Sequence, residues 1–320
     1  MRSLISAGLA ILIALAAIGI GSGALPGALA QYSGPEPAHL VLSVDNGTDA
    51  RLNRMDWDVN AWAPLVPAAS VRASDYIDLS GRTTVRILCA NLTVIEQRGS
   101  EVPRCDPLPD PAFVYLDDPT WTSSPDDLQV TVAGEGVEAP PEVDDPGAFT
   151  LVPLAEADRA AIVEQSEAIL AVDASPEARA FALASYYRTE GLLFDAVSAL
   201  TALPDLGCTE RRPTVELTPD DGLSVLESPV LYLRLGELFQ MLGQDEDAGR
   251  NYTCAAEIAL ALNDPANAAL AFARRANLAD DTAAASELYQ AAIDNYAALG
   301  AIEQANAMLQ ICGLRNCTLE

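Results

Sequence analysis

Apolar and polar positions follow two different rhythms along this chain, with the change falling near residue 150. His39 to Val44 is a short apolar run closed by Asp45-Asn46-Gly47, a strong turn signal. From Thr83 to Asn91 the pattern alternates. Val85, Ile87 and Cys89 share one face, Thr84, Arg86 and Leu88 the other. A turn at Ala90-Asn91 leads into Leu92-Thr93-Val94-Ile95, which predicts a hairpin with a buried cysteine. Trp57, Trp62, Leu65, Val66, Val71, Tyr76 and Ile77 fall on short strand-like pieces. Together these predict a compact sheet or partly closed barrel. Residues 99 to 150 are proline-rich, with further strand candidates at Phe113–Leu116 and Leu128–Val132. The acidic stretch from Gly134 to Gly147 reads as part of a linker.

From Leu154 onward alanine and leucine dominate, and apolar residues recur every three to four positions, the period of an amphipathic helix. Glu156 to Val172 is one such helix. Asp173-Ala174-Ser175-Pro176 then supplies a cap and a proline for the first turn of the next. Three glycines, Gly191, Gly243 and Gly300, organise the rest. Four residues before each stands an aromatic: Tyr187, Phe239, Tyr296. Five after each stands an alanine: Ala196, Ala248, Ala305. A glycine at a tight turn between two helices adopts a left-handed backbone at little cost. Small residues belong where the two helices cross closely.

These spacings resemble the tetratricopeptide repeat family over roughly residues 155 to 315. The middle unit matches best, with Tyr232, Leu235, Gly236, Phe239, Gly243, Ala248, Tyr252 and Ala255 at the signature positions. The first unit keeps Leu183, Ala184, Tyr187, Gly191 and Ala196; the last keeps Tyr289, Tyr296, Gly300 and Ala305, with Ile293 where a small residue is usual. The glycines, however, are 52 and 57 residues apart, against about 34 in the family. A loop from Pro204 to Ser228 accounts for the first excess, and an additional helix from Pro265 to Asp280 for the second. The expectation is an irregular array. Such arrays bind proteins or peptides, so the resemblance implies a partner of that kind.

The fold class expected is α+β and multidomain: a small all-β domain followed by an all-α array of helical hairpins. Residues 1–30 read as a signal peptide: Met1-Arg2, an apolar run from Leu4 to Ile20, and Ala28-Leu29-Ala30 before Gln31. The alternative is an uncleaved N-terminal membrane anchor, the one case in which a membrane would be a partner. A leader spans 31–38, the β domain 39–133 with its core at about 39–106, the linker 134–153 and the helical domain 154–315. The expected location is secreted or in the cell envelope.

Charge narrows the partners. The chain holds 46 acidic residues against 18 basic, a net charge of −28, and it contains no lysine. Such a surface repels nucleic acid and anionic lipid. Against it, Arg188, Arg234, Arg274 and Arg275 stand out as candidate partner contacts. Six cysteines, Cys89, Cys105, Cys208, Cys254, Cys312 and Cys317, are disulfide candidates in an oxidising compartment. Their connectivity is open; the most economical set pairs Cys89 with Cys105, Cys208 with Cys254, and Cys312 with Cys317.

Trp62-Ala63-Pro64-Leu65-Val66, Val71, Asp75-Tyr76-Ile77 and Val85 to Thr93 resemble a FecR-like β domain, with Ser74-Asp75 in place of its Gly-Asp and Ala90-Asn91 as its turn. That resemblance implies a sensing or scaffolding module. Little points to chemistry. His39 is the only histidine and sits at a strand edge, and without lysine no Ser-Lys dyad or Schiff base is available. Phosphate loops, calcium loops and metal-ligand spacings are missing from the sequence. No catalytic, cofactor or metal residue is assigned. Two functions remain: an exported, non-catalytic interaction or scaffold protein, and an extracytoplasmic, glycosidase-like hydrolase using carboxylates between the domains.

Overall fold

The computed structural model describes residues 38–45, 50–54, 57–72, 74–105, 156–204, 206 and 223–317. The segment read as signal, the leader up to residue 37, the strand candidates at 113–116 and 128–132, the linker and Cys208 lie outside them, and Ala38, read as the end of the leader, opens a strand.

Among the described residues seven short strands form two antiparallel sheets. They are β1 (Ala38–Asp45), β2 (Ala50–Asn53), β3 (Ala63–Pro64), β4 (Ser70–Arg72), β5 (Tyr76–Leu79), β6 (Thr84–Leu88) and β7 (Val94–Gln97). One sheet runs β4-β1-β6-β7, the other β3-β2-β5. The alternating stretch forms the expected hairpin. Leu88 faces Val94, Val85 and Ile87 are buried, and Leu92 takes a left-handed φ of 63° in the turn. Cys89 is bonded to Cys105. The strand β2 was not legible in the sequence. Trp57, Trp62, Leu65 and Val66 lie in loops rather than strands. His39 is buried in β1, where its Nδ1 accepts the Ala90 N–H at 3.2 Å.

Among the described residues eight α-helices follow: α1 (Glu156–Leu170), α2 (Pro176–Thr189), α3 (Leu193–Thr201), α4 (Pro229–Met241), α5 (Asp245–Ala261), α6 (Pro265–Leu278), α7 (Thr282–Ala298) and α8 (Ile302–Leu314). Their starts are written locally. Ser175, Ser228 and Asp264 each cap a helix whose first residue is proline, a position where the missing N–H costs nothing. From α4 to α7 each helix packs on the next. Links this short let consecutive helices meet only antiparallel.

Gly191, Gly243 and Gly300 do turn in the left-handed region, with φ of 75°, 71° and 66°. They do not mark equivalent turns. Gly243 joins the first helix of a hairpin, α4, to the second, α5. Gly300 joins a second helix, α7, to the next first helix, α8. Its counterpart is Asn263, which has φ of 53° between α5 and α6. The helix read as an insertion, Pro265 to Asp280, is therefore a regular member. First helices begin at Pro229, Pro265 and Ile302, 36 and 37 residues apart.

The interior repeats with the same offset. The Tyr252 hydroxyl donates to Gln240 Oε1 at 2.8 Å, and 37 residues on the Tyr289 hydroxyl donates to Asn277 Oδ1 at 2.6 Å. Both rings are fully buried, a contribution of roughly 1.5–3 kcal/mol each for a large apolar side chain. Gly236 lies against the first ring, so close that a Cβ there would come within 2.5 Å of it.

The sheets and the helices from α1 to α6 share one continuous hydrophobic core, while α7 and α8 bury Tyr289 and Cys312 in a separate cluster. The shared core runs from Leu40, Val41 and Ile87 to Phe181, Leu235 and Tyr252. Arg86 donates from Nη2 to Asp173 ahead of α2, at 2.6 Å to the carbonyl and 3.0 Å to the carboxylate. The Asp58 N–H donates to the Leu299 carbonyl at 3.1 Å, pressing Asp58 onto Gly300.

The cysteines differ in part from the economical pairing. Cys254 is disulfide-bonded. Cys312 and Cys317 are free thiols, not a disulfide. They remain neighbours: the Cys317 N–H donates to the Cys312 carbonyl at 3.0 Å, and burial pushes the Cys312 thiol up to about 11, helped by a hydrogen bond to Cys317. Arg315, between them, fastens the end of α8 by donating to the carbonyls of Ala276 and Ala279, each at 2.5 Å.

Candidate binding site between sheet and helices

Three first helices each bring an arginine to one carboxylate. Glu237 of α4 receives Arg188 of α2 at 3.7 Å, Arg234 of its own helix at 3.1 Å and Arg274 of α6 at 3.6 Å. All four side chains are largely buried. Arg234 and Glu237 stand three residues apart, one turn of the same helix face, which sets their hydrogen bond. The Arg234 guanidinium also lies 5.9 Å from the Phe181 ring centroid, within cation–π range. The pKa of Tyr252 is raised, chiefly by burial and next by the Glu237 charge.

Three of the four arginines singled out from sequence are thus brought together. Arg275 is not. It lies against the backbone of Gly249 and lines a shallow depression with Asp245 and Asp281. Glu237, the residue the three share, was missed. An Arg-x-x-Glu pair on one helix was the only signal for it.

A cavity of about 180 Å³ opens beside this cluster, between the β sheets and the helices. From the helices it takes Leu233, Arg234, Glu237 and Asp264, and from the strands and their loops Arg54, Trp57 and Arg72. Arg54 is held in place from several sides. It pairs with Asp75 at 3.8 Å, donates from Nη2 to the Ser70 carbonyl at 3.0 Å, and lies 5.7 Å from the Trp57 ring centroid.

Asp264 is 1% exposed. Its carboxylate caps α6, accepting the Asn267 backbone N–H at 3.1 Å and the Asn267 side-chain amide at 2.6 Å. Burial pushes its pKa up to about 6, against the pull of those hydrogen bonds and of the Arg54 charge. Among the described residues no group of three or more His, Cys, Asp and Glu is placed to hold a metal ion, and no helix is long and apolar enough to cross a membrane.

No protein-family model, no curated protein and no solved structure matches the chain.

Proposed function

We propose that this is an exported, non-catalytic interaction protein: a tetratricopeptide-type array that carries a FecR-like β module and binds a protein or peptide where the two meet. A 37-residue recurrence of buried tyrosine, hydrogen-bond acceptor and left-handed turn supports the repeat reading, since the family period is about 34. Export is read from residues 1–30, so the protein recovered outside the cytoplasm should begin at Gln31. A retained apolar run would mean an anchor instead.

The observation that carries the binding reading is the junction cavity, lined by both parts and by arginines of a strongly acidic chain. The hydrolase alternative needs carboxylates free to act on a substrate. The two at the cavity are engaged, Glu237 with three guanidiniums and Asp264 as a helix cap. Nothing at the site favours that alternative. To test binding, a photo-reactive benzoyl-phenylalanine is placed at Tyr296, which lines the cavity, or at exposed Glu303. A defined adduct from the first position alone is expected. Equal labelling from both, or none from either, would count against the reading.

A further inference from the structure

We infer that the junction cavity is a carboxylate-binding site, with Arg72 and Arg234 as its cationic ligands. Its occupant is an acidic side chain of a partner or a small organic acid. The interaction reading bears only on where the carboxylate comes from.

Arg234 is 8% exposed and lines the cavity, and its Nε is buried with no acceptor. Its one ion pair among the described residues uses Nη1. A guanidinium has five N–H donors in a planar fork, and an unmet buried donor costs about 1–3 kcal/mol. That Nε is enclosed, and the donor a ligand oxygen would meet is Nη2, which has no hydrogen bond among the described residues and is not enclosed. Arg72 reaches the same cavity from the end of β4, and among the described residues no carboxylate lies within ion-pair distance of it. The two cations therefore face one small space from opposite modules.

The carboxylates already present do not fill the need. Glu237 is shared by three arginines, and Asp264 is occupied with the cap of α6. The remaining wall is apolar, with Trp57, Leu233, Leu270 and Leu299. It suits a short aliphatic stem behind the charged group.

Size and charge limit the ligand further. About 180 Å³ is below the roughly 300–1,000 Å³ of pockets for drug-sized ligands. It is the scale of one side chain or a short dicarboxylic acid. A polyanion would meet the repulsion of a chain with net charge −28. A single carboxylate inside the cavity feels the guanidiniums at close range, where solvent screening is weakest.

The test is calorimetric titration of the full-length chain with sodium glutarate, and separately with an end-blocked peptide holding one glutamate. Glutaramide and sodium chloride at matched ionic strength serve as controls. Saturable binding of glutarate or the peptide, absent with glutaramide, is expected. It should weaken about tenfold or more in Arg72→Gln and in Arg234→Met, and persist in Arg275→Gln. Arg72 is only half-buried, so its variant keeps the test informative if the Arg234 variant does not fold. Binding of the peptide supports both readings. Binding of glutarate alone upholds the carboxylate site and removes the peptide partner. No binding of either, or binding unchanged in Arg72→Gln, overturns the inference.

Discussion

In the hairpin α4–α5 the chain turns at Gly243 and buries Tyr252 against Gly236. In α6–α7, 37 residues on, it turns at Ala279 in an extended conformation, with no left-handed residue, and buries Tyr289 with Ala273 at the corresponding position. The buried tyrosine and its acceptor twelve residues earlier are common to both. The turn is not. What defines the unit is therefore the clasp between its two helices. The turn needs only to be short, and Asp281 serves the second hairpin by capping α7.

The largest difference expected between units lies at the links that follow the hairpins. Asp264 caps α6 from a fully buried site, while Ala301, 37 residues later, gives α8 no side-chain cap. Because burial raises the folded-state pKa of Asp264 from 3.8 to about 6, the folded protein holds that proton more tightly than the unfolded chain. The resulting stability is complete below pH 3.8 and is lost as pH rises through 6. At 1.4 kcal/mol per pKa unit this amounts to about 3 kcal/mol. Asp264→Asn keeps a capping side chain without the charge. In urea titrations between pH 4 and 7, wild type should lose about that much relative to the variant. Parallel profiles would remove the buried charge from the account.

The helix crossings should separate the hairpins by a smaller amount. Gly236→Ala drives a Cβ into the Tyr252 ring and should cost about 2 kcal/mol, as overpacking does. Ala273→Gly should cost about 1 kcal/mol, mainly in helix propensity. Chemical denaturation reads both; a neutral Gly236→Ala would mean the crossing is looser than described. The smallest effect tests the equivalence itself. Tyr252→Phe and Tyr289→Phe should each cost about 1 kcal/mol, the net worth of one hydrogen bond. If one were neutral and the other strongly destabilising, the two clasps would not be the same element.

Sequence reading found the hairpin around Gly243 and the strand pair around Cys89 because their cues are local. A glycine marks a left-handed turn, and alternation marks a half-buried strand. It placed the last unit out of phase because it followed glycine, and Gly300 answers to Asn263 rather than to Gly243. The sound guide was the pair of tyrosines, each twelve residues after an amide side chain. Four arginines were picked out for their rarity, and three converge. Glu237, Arg54, Arg72 and Asp264 were not found, because they meet only when strands near residue 54 close on helices beyond residue 229. No periodicity within one segment carries that information. The pairing of Cys312 with Cys317 failed for a related reason: nearness in sequence makes a disulfide available, not formed.

Helical arrays whose units touch only their neighbours lose structure unit by unit, fraying from the ends. Here the β module grips the array along its length: at Asp173 before α2, along α4 and α6, and at Gly300 between α7 and α8. One hydrophobic core continues across that contact as far as α6, and a separate small cluster, Ala61 and Ala63 with Leu299 and Ala301, joins the two parts beside Gly300. Melting any one hairpin would therefore strip apolar surface from the sheets as well. The strap converts a chain of semi-independent units into a single cooperative body, and it holds the two walls of the cavity at a fixed spacing.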